Sequence, residues 1–152
     1  MAEDRALERA MTIDEFVHSF IRGCQLQVSC DIRWRDDAVE VNLSGEDASI
    51  LLARNAEVLR ALEYLANHMF EKREGRKVLV DCGGYREVRA EELRLMALAA
   101  ADKVKRFGKP YPLSPMSPEE RRIIHLAIAE DPQLRTESEG FGETRKVVIY
   151  PT

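Results

Sequence analysis

The sequence lacks the features that define several broad classes of protein. It has three cysteines, Cys24, Cys30 and Cys82, whose odd number and spacing argue against a disulfide framework or a C-x-x-C metal motif. We therefore interpret them as buried thiols. No apolar run approaches the ~20 residues that a membrane helix needs, and residues 1–16 have no apolar core of a signal peptide. These absences predict a cytoplasmic protein that does not insert into a membrane.

Motifs of enzymes are missing as well. The sequence has no glycine-rich nucleotide loop, no ligand set with metal-binding spacing and no convincing pair of nucleophile and base. We therefore expect a protein that is not an enzyme and that needs no cofactor. At 45% hydrophobic and 33% charged residues the chain is typical of globular proteins. Its 152 residues fit one domain or two very small ones.

The formal net charge of −4 conceals an uneven distribution of charge. Residues 1–71 carry 7 Lys/Arg and 14 Asp/Glu, residues 72–109 carry 11 and 6, and residues 110–152 carry 5 and 7. The basic middle segment is either a solvated helix face or a stripe that meets phosphate groups. Charge alone favours the solvated face.

The first half of the chain shows clear helix and strand patterns. Residues 12–15 match a helix capping box, and apolar residues follow at helical spacing. Apolar and polar residues then alternate over 26–34 and again over 39–43, which predicts a hairpin with one face in water. Trp34 ends the apolar face of its strand, where we expect core packing, with base stacking as the alternative. Residues 77–81 are predicted to form a further short strand.

Two helices are predicted between these strands, joined by an elbow. Residues 50–52 belong to a short first helix, and an amphipathic helix follows to about residue 72. The apolar face of the second helix is predicted to consist of Leu59, Leu62, Leu65, Ala66, Met69 and Phe70. Arg54 and Asn55 interrupt the apolar pattern, so residues 53–56 form the natural joint.

A long helix is predicted from Tyr85 to about Phe107, ending at Gly108-Lys109-Pro110. Its core face is predicted to include Leu93, Met96, Ala100, Val104 and Phe107. The basic residues along it are too scattered to form one stripe, but some should face a groove. Arg86 and Arg89 are therefore candidates for contact with nucleic acid.

Residues 110–152 are predicted to form a second unit. The Ser-Pro-Glu-Glu sequence at 117–120 provides an N-cap, a proline at the first helical position and the glutamate of a capping box. After this helix, residues 134–139 and 144–150 are predicted to be two strands around the turn Gly140-Phe141-Gly142.

Arg121 and His125 are four residues apart in this helix, so they lie on one side with Arg122 close by. The apolar side is predicted to consist of Ile123, Ile124, Leu126 and Ala127, which turns the Arg–His pair towards water. An arginine offers a planar fork to phosphate, and a histidine can hydrogen-bond to a base or stack on it. A surface pair without function is the alternative that spacing leaves open. Arg145 and Lys146, on the last strand, are expected to extend the basic surface near Arg121.

The run PLSPMSPEERRIIHLAIAEDPQLRTESEGFGETRKVVIYP resembles an R-3-H domain, a module named for an arginine and a histidine separated by three residues. Arg121 and His125 occupy the naming positions. The block from Ser114 to Pro151 is especially similar to the Jag family, the bacterial SpoIIIJ-associated proteins also called KhpB or EloR. The resemblance implies binding of single-stranded RNA, with single-stranded DNA as a second ligand, and an association with control of cell elongation.

The order helix, strand, strand, helix, elbow, helix, strand is that of a type II KH domain, which precedes the R-3-H module in the Jag family. The resemblance implies an α+β fold, in which a three-stranded sheet with helices on one face is joined by a long helix to a small α/β domain. The expected organisation is an N-terminal segment at 1–11, a KH domain at 12–83, a basic connecting helix at 84–109 and an R-3-H domain at 110–152. We expect a short form without the N-terminal Jag domain of many relatives.

The elbow occupies the position of the G-x-x-G loop, which in KH domains holds the nucleic-acid backbone. Here the loop reads Ala53-Arg54-Asn55-Ala56. Each alanine adds a methyl group where a ligand backbone would pass, and a position that needs positive φ would force a change of shape. The resemblance implies Arg54 and Asn55 as binding residues. The alternative is a loop that no longer binds RNA, within an adaptor for a KH-only partner protein or for a homodimer.

Overall fold

The structure is a computed structural model that describes residues 10–152, so the expected N-terminal segment at 1–11 lies outside the described residues except for Ala10 and Met11. The elements are α1 (Ile13–Gly23), β1 (Val28–Trp34), β2 (Ala38–Gly45), α2 (Ala48–Glu74), β3 (Lys77–Cys82), α3 (Tyr85–Phe107), β4 (Tyr111–Pro112), α4 (Pro118–Ile128), β5 (Leu134–Glu139), a 3-10 turn (Gly142–Thr144) and β6 (Lys146–Pro151). The predicted α+β class is confirmed. The chain divides into two compact units at the Tyr85–Arg86 bond.

The first unit contains a three-stranded sheet in the order β1-β2-β3. The predicted hairpin pairs β1 and β2 antiparallel, with Trp34 opposite Val39. Strands β2 and β3 are parallel, with Val39 beside Val78. A parallel pair needs a crossover connection, and α2 supplies it. The predicted order of helices and strands in this unit is therefore confirmed.

The core of the first unit lies between the sheet and its two helices. Val39, Val41 and Leu43 alternate along β2 and are buried against Val17 of α1 and Phe70 of α2. Helix α1 begins with the predicted capping box, in which the Glu15 backbone N–H donates to Thr12 Oγ1 at 3.1 Å and the Thr12 N–H donates to Glu15 Oε2 at 2.9 Å. Such a cap contributes about 1 kcal/mol to helix stability.

Four side chains of the first unit that the sequence predicted to be buried are exposed. Trp34 is 53% exposed at the end of an edge strand, where the Arg76 guanidinium lies 5.8 Å from the centre of its ring. Leu65 and Met69 are 49% and 47% exposed, because the line of Leu59, Leu62, Ala66 and Phe70 alone faces the sheet. Cys24 is exposed because it caps the end of α1, whereas Cys82 is buried in β3 and Cys30 is half-buried.

The second unit has a three-stranded sheet in the order β4-β6-β5, with both pairs antiparallel. Its core consists of Leu93, Ala97, Ala100, Ala101 and Val104 from α3, Ile124 and Ile128 from α4, and Leu113, Leu134, Val147 and Ile149. The helix expected to connect two domains therefore contributes most of its buried residues to this core. Met96 and Phe107 were predicted to be buried, but they are 38% and 67% exposed, because Ala97 and Ala101 face the core in their place.

Along residues 10–152, the structure contains no helix with both the length and the apolar character needed to cross a bilayer.

Candidate nucleic-acid interface

The amino end of α4 is fixed beside the start of β6. The predicted capping box is present, since the Glu120 N–H donates to Ser117 Oγ at 3.3 Å and the Ser117 N–H donates to Glu120 Oε2 at 2.9 Å. The backbone N–H of Met116, just before the cap, donates to the carbonyl of Arg145 at 3.2 Å. Arg121, one turn into the helix, and Arg145 therefore lie at the same end of the second unit.

His125 joins α4 to β5 through both of its ring nitrogens. Nδ1 lies 2.6 Å from Thr136 Oγ1, and Nε2 lies 2.9 Å from Ser138 Oγ. The ring is half-buried. Burial lowers the pKa of this imidazole, and the positive charge of Arg121 lowers it further, so the neutral form is favoured. With both nitrogens hydrogen-bonded within the unit, the imidazole orients α4 on the sheet.

Helical spacing predicted only part of the orientation of α4. Ile124 and Ile128 face the core together with the 9% exposed side chain of Glu120, whereas Leu126, predicted to lie on the apolar side, is 63% exposed. The buried side is rotated relative to the prediction because the sheet lies against the line that Glu120, Ile124 and Ile128 form. Arg121 and His125 are consequently half-buried at the margin of the helix, and Arg122 is the exposed member of the group.

Arg145 and Lys146 occupy opposite faces of the second sheet. Side chains alternate along an extended chain, and Val147 and Ile149 of β6 are buried against the helices. Arg145 has extended backbone angles (φ −69°, ψ 127°) and shares the parity of Val147, so it belongs to the helix-covered face. Lys146 pairs with Glu139 across the strands on the other face. The structure brings Arg145 together with α4 and does not bring Lys146 there.

The five arginines of the second unit that the sequence named as candidates fall into two groups. The first has no carboxylate partner: within residues 10–152, the side chains of Arg121, Arg122 and Arg145 form no ion pair. The Nε atom of Arg145 is moreover buried without a hydrogen-bond partner in the described chain. We call Arg121, Arg122, His125 and Arg145 the Arg–His face.

Arg86 and Arg89, the candidates on α3, belong to the second group. Arg89 Nε donates to Glu120 Oε1 at 2.9 Å, and its Nη1 lies 3.2 Å from Glu92 Oε2. Arg86 Nη2 lies 4.0 Å from Glu119 Oε2. The structure thus places both guanidinium groups against carboxylates at the start of α4, where they attach α3 to α4.

The predicted elbow in α2 is present and has an unusual backbone. Ala53 is extended (φ −59°, ψ 151°), and the next three residues, Arg54, Asn55 and Ala56, have φ of 52°, 57° and 56°. None of them is glycine, and the left-handed region costs an L-residue roughly 1–2 kcal/mol, less for asparagine. Positive φ is therefore required at the second alanine of the loop and not at the first.

Local contacts hold the elbow in this shape. The Tyr85 hydroxyl donates to Asn55 Oδ1 at 2.9 Å, and Arg60 Nε donates to the Asn55 carbonyl at 3.2 Å. The Ala56 methyl group is fully buried in the core, so it does not obstruct the surface. Arg54 is 86% exposed, with Glu57 Oε2 at 3.9 Å from its Nη1. Arg54 thus presents a charged group to solvent, whereas the side-chain oxygen of Asn55 is engaged by the Tyr85 hydroxyl.

Sequence reasoning missed several residues of this region. Thr136 and Ser138 hold His125, and their alternation on a strand that follows a helix histidine is the signal that could have suggested them. Phe141, in the β5–β6 loop, was treated only as part of a turn, yet it is 87% exposed. Within the described part of the chain there is no cluster of three or more His, Cys, Asp or Glu side chains able to hold a metal ion.

Comparisons with known proteins agree with this geometry. A model of the R-3-H domain family matches residues 91–151, which span most of α3 and the remainder of the second unit. The second unit is therefore an R-3-H domain, in which Arg121 and His125 hold the naming positions. Along both units the chain is similar to proteins named KhpB, and this similarity supports the predicted relation to the Jag family.

The similarity to KhpB proteins is seen in curated relatives that match along both units. RNA-binding protein KhpB of Clostridium symbiosum is 34% identical over 139 residues, covering 89% of this chain and 63% of the relative. RNA-binding protein KhpB of Bacillus subtilis is 36% identical over 115 residues, covering 73% of this chain and 55% of the relative. RNA-binding protein KhpB of Streptococcus pneumoniae is 26% identical over 142 residues, covering 92% of this chain and 43% of the relative. The chain thus spans roughly half to two thirds of the length of the first two relatives.

Proposed function

We propose that the protein binds single-stranded RNA through the Arg–His face of its second unit. The observation that carries the proposal is the separation of the candidate arginines into two groups. Arg86 and Arg89 lie against carboxylates, whereas Arg121, Arg122 and Arg145 meet none within residues 10–152. Guanidinium groups without acidic partners at one end of a small domain form a site for an anionic polymer. The names of the relatives as RNA-binding proteins support RNA as that polymer.

The roles of the two naming residues differ in this proposal. Arg121 binds a phosphate, and a guanidinium suits this because it makes charge-assisted hydrogen bonds in a fixed fork geometry. His125 acts as a positioning residue, because its nitrogens are engaged by Thr136 and Ser138. Single-stranded DNA offers the same phosphates, so we expect it to bind through the same residues with a similar dependence on salt.

The test compares neighbouring residues on opposite faces of one strand. Affinity for a ~12-nucleotide single-stranded RNA is measured across a salt series for the parent, Arg121→Ala, Arg145→Ala and Lys146→Ala. Removing one arginine that binds a phosphate should reduce the magnitude of the slope of log K against log salt by about 0.7. We expect that reduction for the two arginine variants, and Lys146→Ala, the matched control, should keep the parent slope. Equal reductions for Arg145→Ala and Lys146→Ala would refute the assignment of the face.

Arg54 provides a smaller second contribution in the first unit. It is 86% exposed on an elbow whose backbone is held in an uncommon conformation, and such conformations persist where surrounding contacts enforce them, often at functional sites. Arg54→Ala should reduce the salt slope less than Arg121→Ala, because Glu57 lies 3.9 Å from Arg54 and weakens its field. A slope equal to that of the parent would assign the loop to scaffolding.

We further propose that the protein acts by binding and not by catalysis, and that it works in the cytoplasm. The support for the first point is that the curated relatives carry the names of binding proteins. The support for the second is that no helix in residues 10–152 could span a bilayer, together with RNA as the proposed ligand.

The second candidate function is that of a protein-interaction adaptor. It is favoured by a stripe on the outer side of α2, where Tyr64, Leu65, His68 and Met69 are exposed at helical spacing. The Tyr64 and His68 rings are stacked with centres 6.2 Å apart. A stripe of this kind suits a KH-only partner protein or a second copy of the chain. Sizing chromatography of the parent and of Leu65→Asp, run beside the RNA assay, separates the functions: self-association that the variant abolishes, without RNA binding by the parent, would favour the adaptor.

A further inference from the structure

Phe141 is the most exposed large apolar side chain among the described residues. Its ring is 87% exposed, whereas the next in the described chain, Tyr64, is 70% exposed. No aromatic or cationic side chain of residues 10–152 covers it, unlike Phe107, over which the Arg106 guanidinium lies at 5.7 Å. An uncovered aromatic ring offers a complete π face to a ligand.

The backbone presents this ring on a rigid loop. The Thr144 N–H and hydroxyl donate to the Phe141 carbonyl at 3.2 Å and 2.8 Å, and the Arg145 N–H donates to the Gly142 carbonyl at 3.2 Å. Gly140 has φ of 86°, and a Cβ there would lie 3.2 Å from the Thr144 carbonyl oxygen, so the loop closes tightly at its base. A loop whose backbone is already fixed loses little backbone entropy when a ligand binds.

The loop lies directly beside the Arg–His face. It begins after Glu139, next to the Ser138 hydroxyl that holds His125, and it ends at Arg145, whose carbonyl bonds to the residue before the α4 cap. Because Phe141 is three residues from Ser138, their Cα atoms are at most ~11 Å apart. A single strand of nucleic acid whose phosphates bind the Arg–His face therefore passes within reach of the ring.

We infer that the Phe141 ring stacks on a nucleobase of the single strand whose phosphates bind to the Arg–His face, an inference that rests on the proposed function. A base suits the ring better than a protein surface does, because the other loop residues Gly140, Gly142, Glu143 and Thr144 carry no large apolar side chain that would extend the ring into an apolar patch. Stacking of bases on aromatic side chains is the usual complement to phosphate contacts in proteins that bind single strands. Phosphate contacts then provide the salt-dependent part of the affinity, and the ring provides a part that salt does not change.

The test measures affinity and salt slope for Phe141→Ala, Phe141→Trp and a control, Leu95→Ala, in the full chain. Leu95 is an apolar residue of α3 in the same unit and is 59% exposed. The probes are ~12-nucleotide single-stranded RNA and an abasic strand of the same length. We expect Phe141→Ala to weaken RNA binding by about 5- to 150-fold with an unchanged salt slope and unchanged binding of the abasic strand. Phe141→Trp should retain affinity, and its fluorescence should be quenched by RNA but not by the abasic strand.

Several results would overturn the inference. RNA affinity of Phe141→Ala equal to that of the parent would show that the ring does not contact a base, while leaving the Arg–His face as proposed. Equal weakening for RNA and the abasic strand would show that the substitution disturbs the phosphate site. Absence of RNA binding by the parent, by contrast, would remove the proposed function itself. Parent-like affinity of Leu95→Ala, with quenching confined to Phe141→Trp, would complete the positive result.

Discussion

The contact between Glu120 and Arg89 makes a sharp prediction about the stability of the second unit. Glu120 is 9% exposed, and it accepts hydrogen bonds from Arg89 Nε at 2.9 Å and from the Ser117 N–H at 2.9 Å. In Glu120→Gln only one side-chain oxygen remains for these two donors. The amide oxygen can preserve the capping box, for which Gln also serves, but the amide nitrogen then faces the guanidinium of Arg89.

The expected destabilisation follows from the contacts that remain. Breaking a fully buried ion pair by removing one partner costs ~3–5 kcal/mol. The Arg89 side chain is 25% exposed and also reaches Glu92 at 3.2 Å, so water and a second carboxylate soften the effect. We therefore expect Glu120→Gln to lower the free energy of unfolding by about 2 kcal/mol, as a buried donor left without a charge-assisted acceptor costs ~1–3 kcal/mol.

Urea denaturation of Glu120→Gln and of the control Glu91→Gln measures this difference. Glu91 pairs with Arg94 at 3.2 Å in the same unit, but these side chains are 61% and 53% exposed, and a pair of this kind contributes ~0.5 kcal/mol or less. A double-mutant cycle with Arg89→Gln isolates the pairwise contribution. Destabilisation of the same size in the two glutamate variants would refute the reasoning, and so would a coupling energy near zero.

Three further predictions concern other parts of the chain. In the native protein the exposed Cys24 should react with a thiol reagent at neutral pH, whereas Cys30 and Cys82 should react slowly, because Cys82 is buried and burial raises the pKa of Cys30 to about 11. Denaturant should make all three thiols reactive, and equal reaction rates in the native state would contradict the structure. The pKa of His125 lies below its ordinary 6.5, so the protein should have its full stability above about pH 6.5 and lose stability as the pH falls towards the folded-state pKa. Urea midpoints measured across this range should depend less on pH in His125→Gln than in the parent, and equal pH dependence would contradict the prediction. Ala56→Gly should change the free energy of unfolding by no more than ~1 kcal/mol, because relief of positive φ offsets the removal of a buried methyl group worth ~0.8 kcal/mol. Ala53 has an ordinary φ, so Ala53→Gly should only destabilise the protein, by ~0.5–1 kcal/mol. A larger destabilisation by Ala56→Gly than by Ala53→Gly in thermal unfolding would be inconsistent with the loop geometry.

Local rules predicted the ends and order of the elements well. Both capping boxes are present where Thr12 and Ser117 indicated them, because a cap depends on residues that are close in sequence. Alternation located β1 and β2 and placed β5 at Leu134–Glu139. Strand β4 was missed, because its two residues, Tyr111 and Pro112, are too few to show a period.

Burial was harder to predict for the long helices. Helices α2 and α3 carry more apolar residues than one face can bury, and the sequence does not say which line faces the sheet. The choice between Ala97 and Met96 as core residues depends on how closely α3 approaches its neighbours, and small residues permit the closer approach.

The sequence predicted which residues belong to the site better than it predicted what each residue does there. The spacing of Arg121 and His125 indicated one surface, but the hydroxyl groups of Thr136 and Ser138 reach His125 only through tertiary packing. The separation of Arg145 from Lys146, in contrast, could be obtained from the sequence. Neighbouring residues of a strand point to opposite faces, although Val147, Val148 and Ile149 are all apolar and so do not show which face the helices cover.

The alternation along β6 also limits how the β5–β6 loop can vary in length. Glu139 pairs with Lys146, so six residues, 140–145, separate the two strands. Deletion or insertion of one loop residue can leave the pairing of β5 with β6 unchanged, and then only the path from the loop into β6 changes. If the pairing slips by one residue instead, every side chain of β6 exchanges faces. Such a slip would carry the Arg145 guanidinium to the far side of the sheet and expose Val147 and Ile149. Viable length variants of this hairpin should therefore differ by compensated changes that keep Val147 opposite Ser138.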